Sequence, residues 1–156
     1  MQNFANKLFG FMLLTLPSAA FSQSNSWSVK NQQLQDDWQI QSSEKVSSDD
    51  EEISTLKFHS KNWYAAKVPN STLGTLVEDG VFKNIFFNRN LEKIPAGLFK
   101  EPWWYRRIFE VSNKEEGQFY RLRFNGISYS ADIWLNGKQI ASADTLKGSF
   151  RQFVID

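Results

Sequence analysis

The chain has 156 residues, 41% of them hydrophobic and 22% charged. That is enough for one domain with a sizeable core, but well short of the roughly 250 residues that a (β/α)₈ barrel takes. Lys and Arg number 18 against 17 Asp and Glu, so no global field draws the chain to nucleic acid or to an anionic membrane surface. Aromatic residues are unusually frequent, with 14 Phe, 6 Trp and 4 Tyr. Such a sequence is too rich for disorder and points to strands around an aromatic core, or to an aromatic-lined site.

The chain opens with a short segment carrying Lys7, a largely apolar run from Leu8 to Leu16, and small residues at Ala20 and Ser22. These are the three parts of a secretory signal peptide, and they predict cleavage after Ser22. The run is far shorter than the roughly 20 residues a membrane-spanning helix needs, so no membrane segment is expected in the mature form. Export places the protein in a periplasm or outside the cell. Residues 1–22 hold one Lys and no acid, which leaves 17 basic and 17 acidic residues. With no Cys in the sequence, there is no disulfide, thiolate-bound metal or thiol nucleophile. Export without disulfides suits a bacterial protein, in which the sequon Asn70-Ser71-Thr72 is only a turn.

Residues 23–35 read as a polar leader, rich in Ser, Asn and Gln, and residues 36–156 as the folded domain. Residues 38–46 look like a strand with Trp38 and Ile40 on one face, followed by a turn over residues 47–52. The four acids Asp49 to Glu52 lack the spacing and the Gly of a calcium loop and read as a solvated turn. A second strand is expected over residues 53–59. His59 is the only histidine; without a second ligand or base partner it reads as structural. Residues 62–69 form an extended segment stopped by Pro69, and residues 71–80 a short helix or turn, capped by Ser71 or Thr72 and ended by Gly80.

Residues 82–98 are aromatic but aperiodic and read as a long loop, a kind of segment that is commonly functional. After Pro102 strands resume: Trp103, Tyr105, Phe109 and Val111 alternate with Trp104, Arg106 and Glu110. Gly117 marks a turn before a strand over residues 118–125, with Tyr120, Leu122 and Phe124 facing one way and Arg121 and Arg123 the other. Within residues 129–143, Asn136-Gly137 between two strand-like runs is the signature of a type I′ hairpin. A loop over residues 144–148 leads to a last strand over residues 149–156. Most aromatics fall on core-facing strand positions. No strand–helix–strand rhythm with a Gly-rich phosphate loop occurs. Short strands at regular spacing with one short helix predict an all-β fold, an antiparallel β-sandwich.

Five segments in this order resemble the N-terminal sugar-binding domain of glycoside hydrolase family 2. They are residues 63–77, residues 86–91, Pro102-Trp-Trp-Tyr-Arg-Arg-Ile-Phe109, residues 124–137 and residues 148–156. The Pro-Trp-Trp-Tyr-Arg run looks most like the branch of exo-β-D-glucosaminidases and β-mannosidase-like enzymes. The resemblance implies a galactose-binding-like jelly roll, incomplete at its C-terminus, beside a catalytic barrel that follows later in the enzyme. Retaining hydrolysis uses two carboxylates roughly 5–5.5 Å apart, which in that family belong to the barrel, so no catalytic residue is expected here. No metal or cofactor is implied.

By the same resemblance, Asn90 matches a loop asparagine that reaches the sugar, and Asp144 the aspartate of a loop before the last strand. An amide both donates and accepts, and a carboxylate accepts from hydroxyls or pairs with the ammonium of an amino sugar. Asn90 equally fits a turn residue and Asp144 a loop cap. Trp103 and Trp104 offer an aromatic face for a pyranose, one of the pair at most being free by strand alternation. The loop has Asn88 where the family has a small, glycine-like residue, and Asn84-Ile85 replaces a common Asp-Pro. Asp132 reads as a satisfied polar residue for which Arg106 and Arg151 are candidate partners. The expected partners are a β-linked sugar and the downstream barrel. The alternative is a free-standing carbohydrate-binding module, or a β-sandwich whose aromatics only fill the core.

Overall fold

The computed structural model describes residues 29–111 and 118–156. The expected signal peptide, the first six residues of the leader and the turn at Gly117 lie outside these. Residues 29–32 carry no regular structure, and every described helix and strand belongs to the unit Gln33–Asp156.

The organising element is a three-stranded antiparallel sheet in which β1 (Trp38–Ser42) lies between β2 (Tyr64–Ala66) and β3 (Trp103–Arg106). Ile40 sits at its centre, opposite Tyr64 on one side and Tyr105 on the other, and is fully buried. Strand alternation puts Ile40, Tyr64 and Tyr105 on one face and Gln39, Gln41, Trp104 and Arg106 on the other. The first face is covered by helix α2 (Thr72–Glu78). Ser71 caps it by accepting from the Gly74 N–H at 2.9 Å, and Thr72 Oγ1 meets Tyr105 Oη at 3.0 Å. Thr75 and Leu76 are its buried residues, and Gly80 follows it at φ +77°. This is the helix read from residues 71–80, with its cap and its stop.

The opposite face departs from expectation. Residues 53–59 form no strand: residues 50–53 make the one-turn helix α1 (Asp50–Ile53), and turns follow. Two physical causes are visible. Asp50, Glu51 and Glu52 occupy the first turn, where acids suit the positive end of the helix dipole. Arg106 then gathers the carbonyls that a ladder would need, donating from Nε to Ile53 O at 2.9 Å and from Nη2 to Thr55 O at 2.9 Å and Phe58 O at 3.3 Å. Its guanidinium also lies 5.6 Å from the Phe58 ring centroid, and Phe58 meets Trp63 edge-on. Burial lowers the Arg106 pKa from its ordinary value, although a guanidinium stays charged throughout the physiological range.

Two further ladders complete the unit, β4 (Leu122–Phe124) with β7 (Phe153–Ile155) and β5 (Ile133–Leu135) with β6 (Lys138–Ala141). Leu122 and Phe124 are half-buried while Arg121 and Arg123 are exposed, as the alternation requires. The β5–β6 turn has Asn136 at φ +51° and Gly137 at φ +83°, the two positive values of the expected hairpin. Its tip is held against α1, since the Gly137 N–H donates to Ser54 Oγ at 2.8 Å. Strands are shorter than the sequence suggests: residues 43–45 turn into a 3₁₀ helix, and regular pairing of β3 stops at Arg106. The aromatic excess is not chiefly core. Among the described residues the buried hydrophobics are Ile40, Ile53, Ala66, Leu76, Ile85, Leu146 and Phe153, whereas Phe86, Phe119 and Phe150 are exposed.

Replacing Arg106 by Met strands three carbonyls and is expected to lower the unfolding free energy by about 3 kcal/mol in urea titrations. Gly137→Ala is expected to cost about 1 to 2 kcal/mol, because the residue sits at positive φ and a Cβ would stand 3.3 Å from Thr55 Cγ2.

Candidate functional site

The loop between α2 and β3 is ordered by its own side chains. Ile85 is buried and anchors it. Asn84 and Asn88 adopt φ of +51° and +56°, left-handed values that asparagine tolerates better than other non-glycine residues. Asn88 thus does in this loop what a glycine would do. Phe87 N–H donates to Asn84 O at 2.9 Å, and the Asn90 amide nitrogen donates to the same carbonyl at 3.0 Å. Asn90 Oδ1 accepts from Lys93 Nζ at 3.0 Å, and Arg89 pairs with Glu92 at 2.6 Å. Residues 90–93 and 96–99 are 3₁₀ turns. Asn90 therefore closes the loop, while one amide hydrogen and one lone pair remain for another partner.

This pinning has a second effect: Phe86 and Phe87 point outward, 90% and 72% exposed, next to Asn90. Sequence reasoning missed both. The signal available was two consecutive Phe in an Asn-rich, aperiodic segment, which no strand or helix face accounts for.

Trp103 is half-buried, donates from its indole to Leu98 O at 3.0 Å, and tilts against Tyr64 at 6.4 Å between centroids. It ties the end of the Asn90 loop to the sheet. Trp104 lies on the opposite face of β3 and is also half-buried, so the alternation holds although neither ring is fully covered. Asp144 occupies the turn after β6. Its carboxylate is 92% exposed and pairs with Lys147 at 3.0 Å, while buried Leu146 anchors the turn. Among the described residues no hydrogen bond, ion pair or ring contact joins Asp144 to Asn90, Trp103 or Trp104.

Asp132 has other partners than the two arginines considered for it. It accepts from Gln139 Nε2 at 2.8 Å and from the Ala143 N–H at 2.9 Å, clamping the hairpin and the start of the Asp144 turn. Arg106 is spent on carbonyls, and Arg151 donates to Lys147 O at 3.1 Å and covers the Phe153 ring. An open cleft of about 490 Å³ has Leu56, Phe58, Ile108, His59 and Lys61 among its walls, with no acid lining it. A second, of about 360 Å³, lies beside the Asp144 turn, against Gln139, Ser142 and Thr145. The described residues contain no group of three His, Cys, Asp or Glu placed to hold a metal ion, and no helix long and apolar enough to cross a membrane.

Asn90→Ala is expected to cost about 1 kcal/mol of stability, since both its bonds hold the loop. Asp144→Asn should change stability by less than about 0.5 kcal/mol, its pair being solvent-exposed. Paired thermal unfolding curves check both.

A family model described as glycosyl hydrolase 2 galactose-binding domain-like matches residues 27–156. An exo-beta-D-glucosaminidase of Amycolatopsis orientalis is 32% identical over 117 residues, covering 75% of this chain and 11% of the relative. A mannosylglycoprotein endo-beta-mannosidase of Lilium longiflorum is 35% identical over 99 residues, covering 60% of this chain and 10% of the relative. In structure, the exo-chitosanase CsxA of Amycolatopsis orientalis superposes with a TM-score of 0.70 at 30% identity, covering 78% of this chain and 14% of that one. The chain thus spans only a small part of the relatives it matches.

Proposed function

This chain belongs to the glycosyl hydrolase 2 galactose-binding-like domain family, and on that premise we propose that it is the non-catalytic, N-terminal sugar-binding domain of an exported β-glycosidase. The observation that carries the reading is the pairing of a family match across residues 27–156 with coverage of only 11% of a glucosaminidase relative. Hydrolysis of β-linked glucosaminides or mannosides is then the work of a barrel domain of the same enzyme, which supplies the acid/base and the nucleophile. This domain contributes polar and aromatic groups at the rim of the sugar site.

Asn90 uses its remaining donor and acceptor on sugar hydroxyls. Asp144, exposed and already paired with a lysine ammonium, accepts the ammonium of a glucosamine in the same way. Trp103, Trp104 and the exposed Phe86 and Phe87 offer apolar surface to the ring faces. Export follows from the signal peptide read over residues 1–22. The reading of a free-standing binding module differs in one respect: it needs measurable sugar affinity without a barrel.

The decisive observation is the reading frame beyond codon 156, expected to continue into a barrel carrying two carboxylates. The 156-residue chain itself is expected to release no aryl group from aryl β-D-glucosaminides or β-mannosides. Turnover that disappears on a single carboxylate substitution would overturn the non-catalytic assignment. In the complete enzyme, Asp144→Asn is expected to lower kcat/KM for glucosaminides about tenfold, with a smaller effect on mannosides, which carry no ammonium.

A further inference from the structure

We infer that Lys93 is a positioning residue for the sugar contact at Asn90, a role that rests on the sugar-binding reading of that asparagine. Its ammonium fixes which way the Asn90 amide faces and turns that amide into a donor for a neutral, hydroxyl-bearing edge of the sugar.

The turn itself brings the two side chains together. Asn90 and Lys93 are the first and last residues of one 3₁₀ helix, in which side chains three positions apart stand over one another. Lys93 Nζ accordingly donates to Asn90 Oδ1 at 3.0 Å. The neighbouring acid does not compete for it, because Glu92 pairs with Arg89 at 2.6 Å. At its other end the amide donates from Nδ2 to Asn84 O at 3.0 Å, a carbonyl that also accepts the Phe87 N–H at 2.9 Å. The backbone is held as well, since the Asn90 N–H donates to Phe87 O at 3.3 Å. A flipped amide would set its NH₂ against the ammonium and its oxygen against the Asn84 carbonyl, exchanging two attractions for two repulsions. One orientation is therefore fixed.

The charge then selects what this amide meets. An amide oxygen that accepts from an ammonium leaves its own N–H groups more positive, so the remaining Nδ2 hydrogen donates more strongly to a sugar oxygen. The same ammonium repels a second cation from the remaining lone pair of Oδ1. The amino group of a glucosamine is thus kept away from Asn90, which faces a hydroxyl instead.

In the complete enzyme, Asn90→Ala is expected to lower kcat/KM about tenfold on aryl β-D-glucosaminides and β-mannosides alike, and Lys93→Met about fivefold, mostly through KM. Loss of a positive charge would by itself raise the rate on a cationic glucosaminide, so a fall identifies positioning. Lys93→Arg, which keeps a charged donor, is expected to retain most of the activity. Lys93→Met made in the Asn90→Ala background is expected to cost nothing further. In the 156-residue chain, with no sugar present, Lys93→Met is expected to move the Asn90 side-chain amide nitrogen upfield in heteronuclear NMR spectra, as its charge-assisted bond is lost. Unchanged kinetics in Asn90→Ala would remove the sugar contact, and the role of Lys93 with it. Where Asn90→Ala does lose activity, four results overturn the role of Lys93 alone: a Lys93→Met enzyme that is unchanged or faster, a Lys93→Arg enzyme as poor as Lys93→Met, a Lys93→Met loss that persists without Asn90, or an unmoved amide resonance.

Discussion

One buried guanidinium fastens the segment after α1 to the central sheet. Arg106 stands on the sheet face opposite α2 and reaches three carbonyls in residues 53–58, so the end of α1 and the turns after it, which have no ladder of their own, are fastened to the sheet by charge-assisted bonds. The attachment propagates. Ser54, fixed in that stretch, receives the tip of the β5–β6 hairpin from far along the sequence, and the hairpin in turn presents the Asp144 turn through Asp132. The tip of the β5–β6 ribbon is thus tied, through Ser54, to the stretch that Arg106 fastens.

The candidate site follows a related economy. Its loops contain few apolar anchors, Ile85 in one and Leu146 in the other, and their shapes come from side chains bonding to nearby backbone. A domain whose loops are settled in advance loses little entropy when they meet a partner surface. The exposed Phe86 and Phe87 are the other side of the same arrangement: with the polar groups of the loop satisfied internally, the apolar ones face out.

Features governed by local rules were legible in the sequence. The Asn136-Gly137 hairpin, the Ser71 cap and the alternation in β4 each depend on residues a few positions apart. What was not legible depended on long-range partners. Residues 53–59 carry the apolar content of a strand, yet their carbonyls are claimed by Arg106, whose sequence position gives no hint of the match. Asp132 reads as a satisfied polar residue and is one, but its donors are Gln139 and the Ala143 N–H, not either arginine that its charge suggests. The aromatic excess was read as core because composition reports amount and not direction. For the site, the resemblance pointed to Asn90 and Asp144, but only coordinates reveal that Asn90 is half-committed to its own loop and that two phenylalanines stand beside it.

The hairpin tip has a chemical consequence as well as a conformational one. An Asn-Gly step ages when the following backbone nitrogen attacks the side-chain amide and converts it to an acid. At Asn136 that nitrogen is engaged with Ser54 Oγ at 2.8 Å and the step is held in a tight turn. At Asn125-Gly126 no hydrogen bond restrains the glycine nitrogen among the described residues, and nothing would crowd a Cβ at Gly126 within 4 Å. The two identical dipeptides are therefore restrained at different atoms: at the hairpin tip the glycine nitrogen is held, whereas beside β4 it is the asparagine amide that is held, its oxygen accepting from Gln152 Nε2 at 2.9 Å.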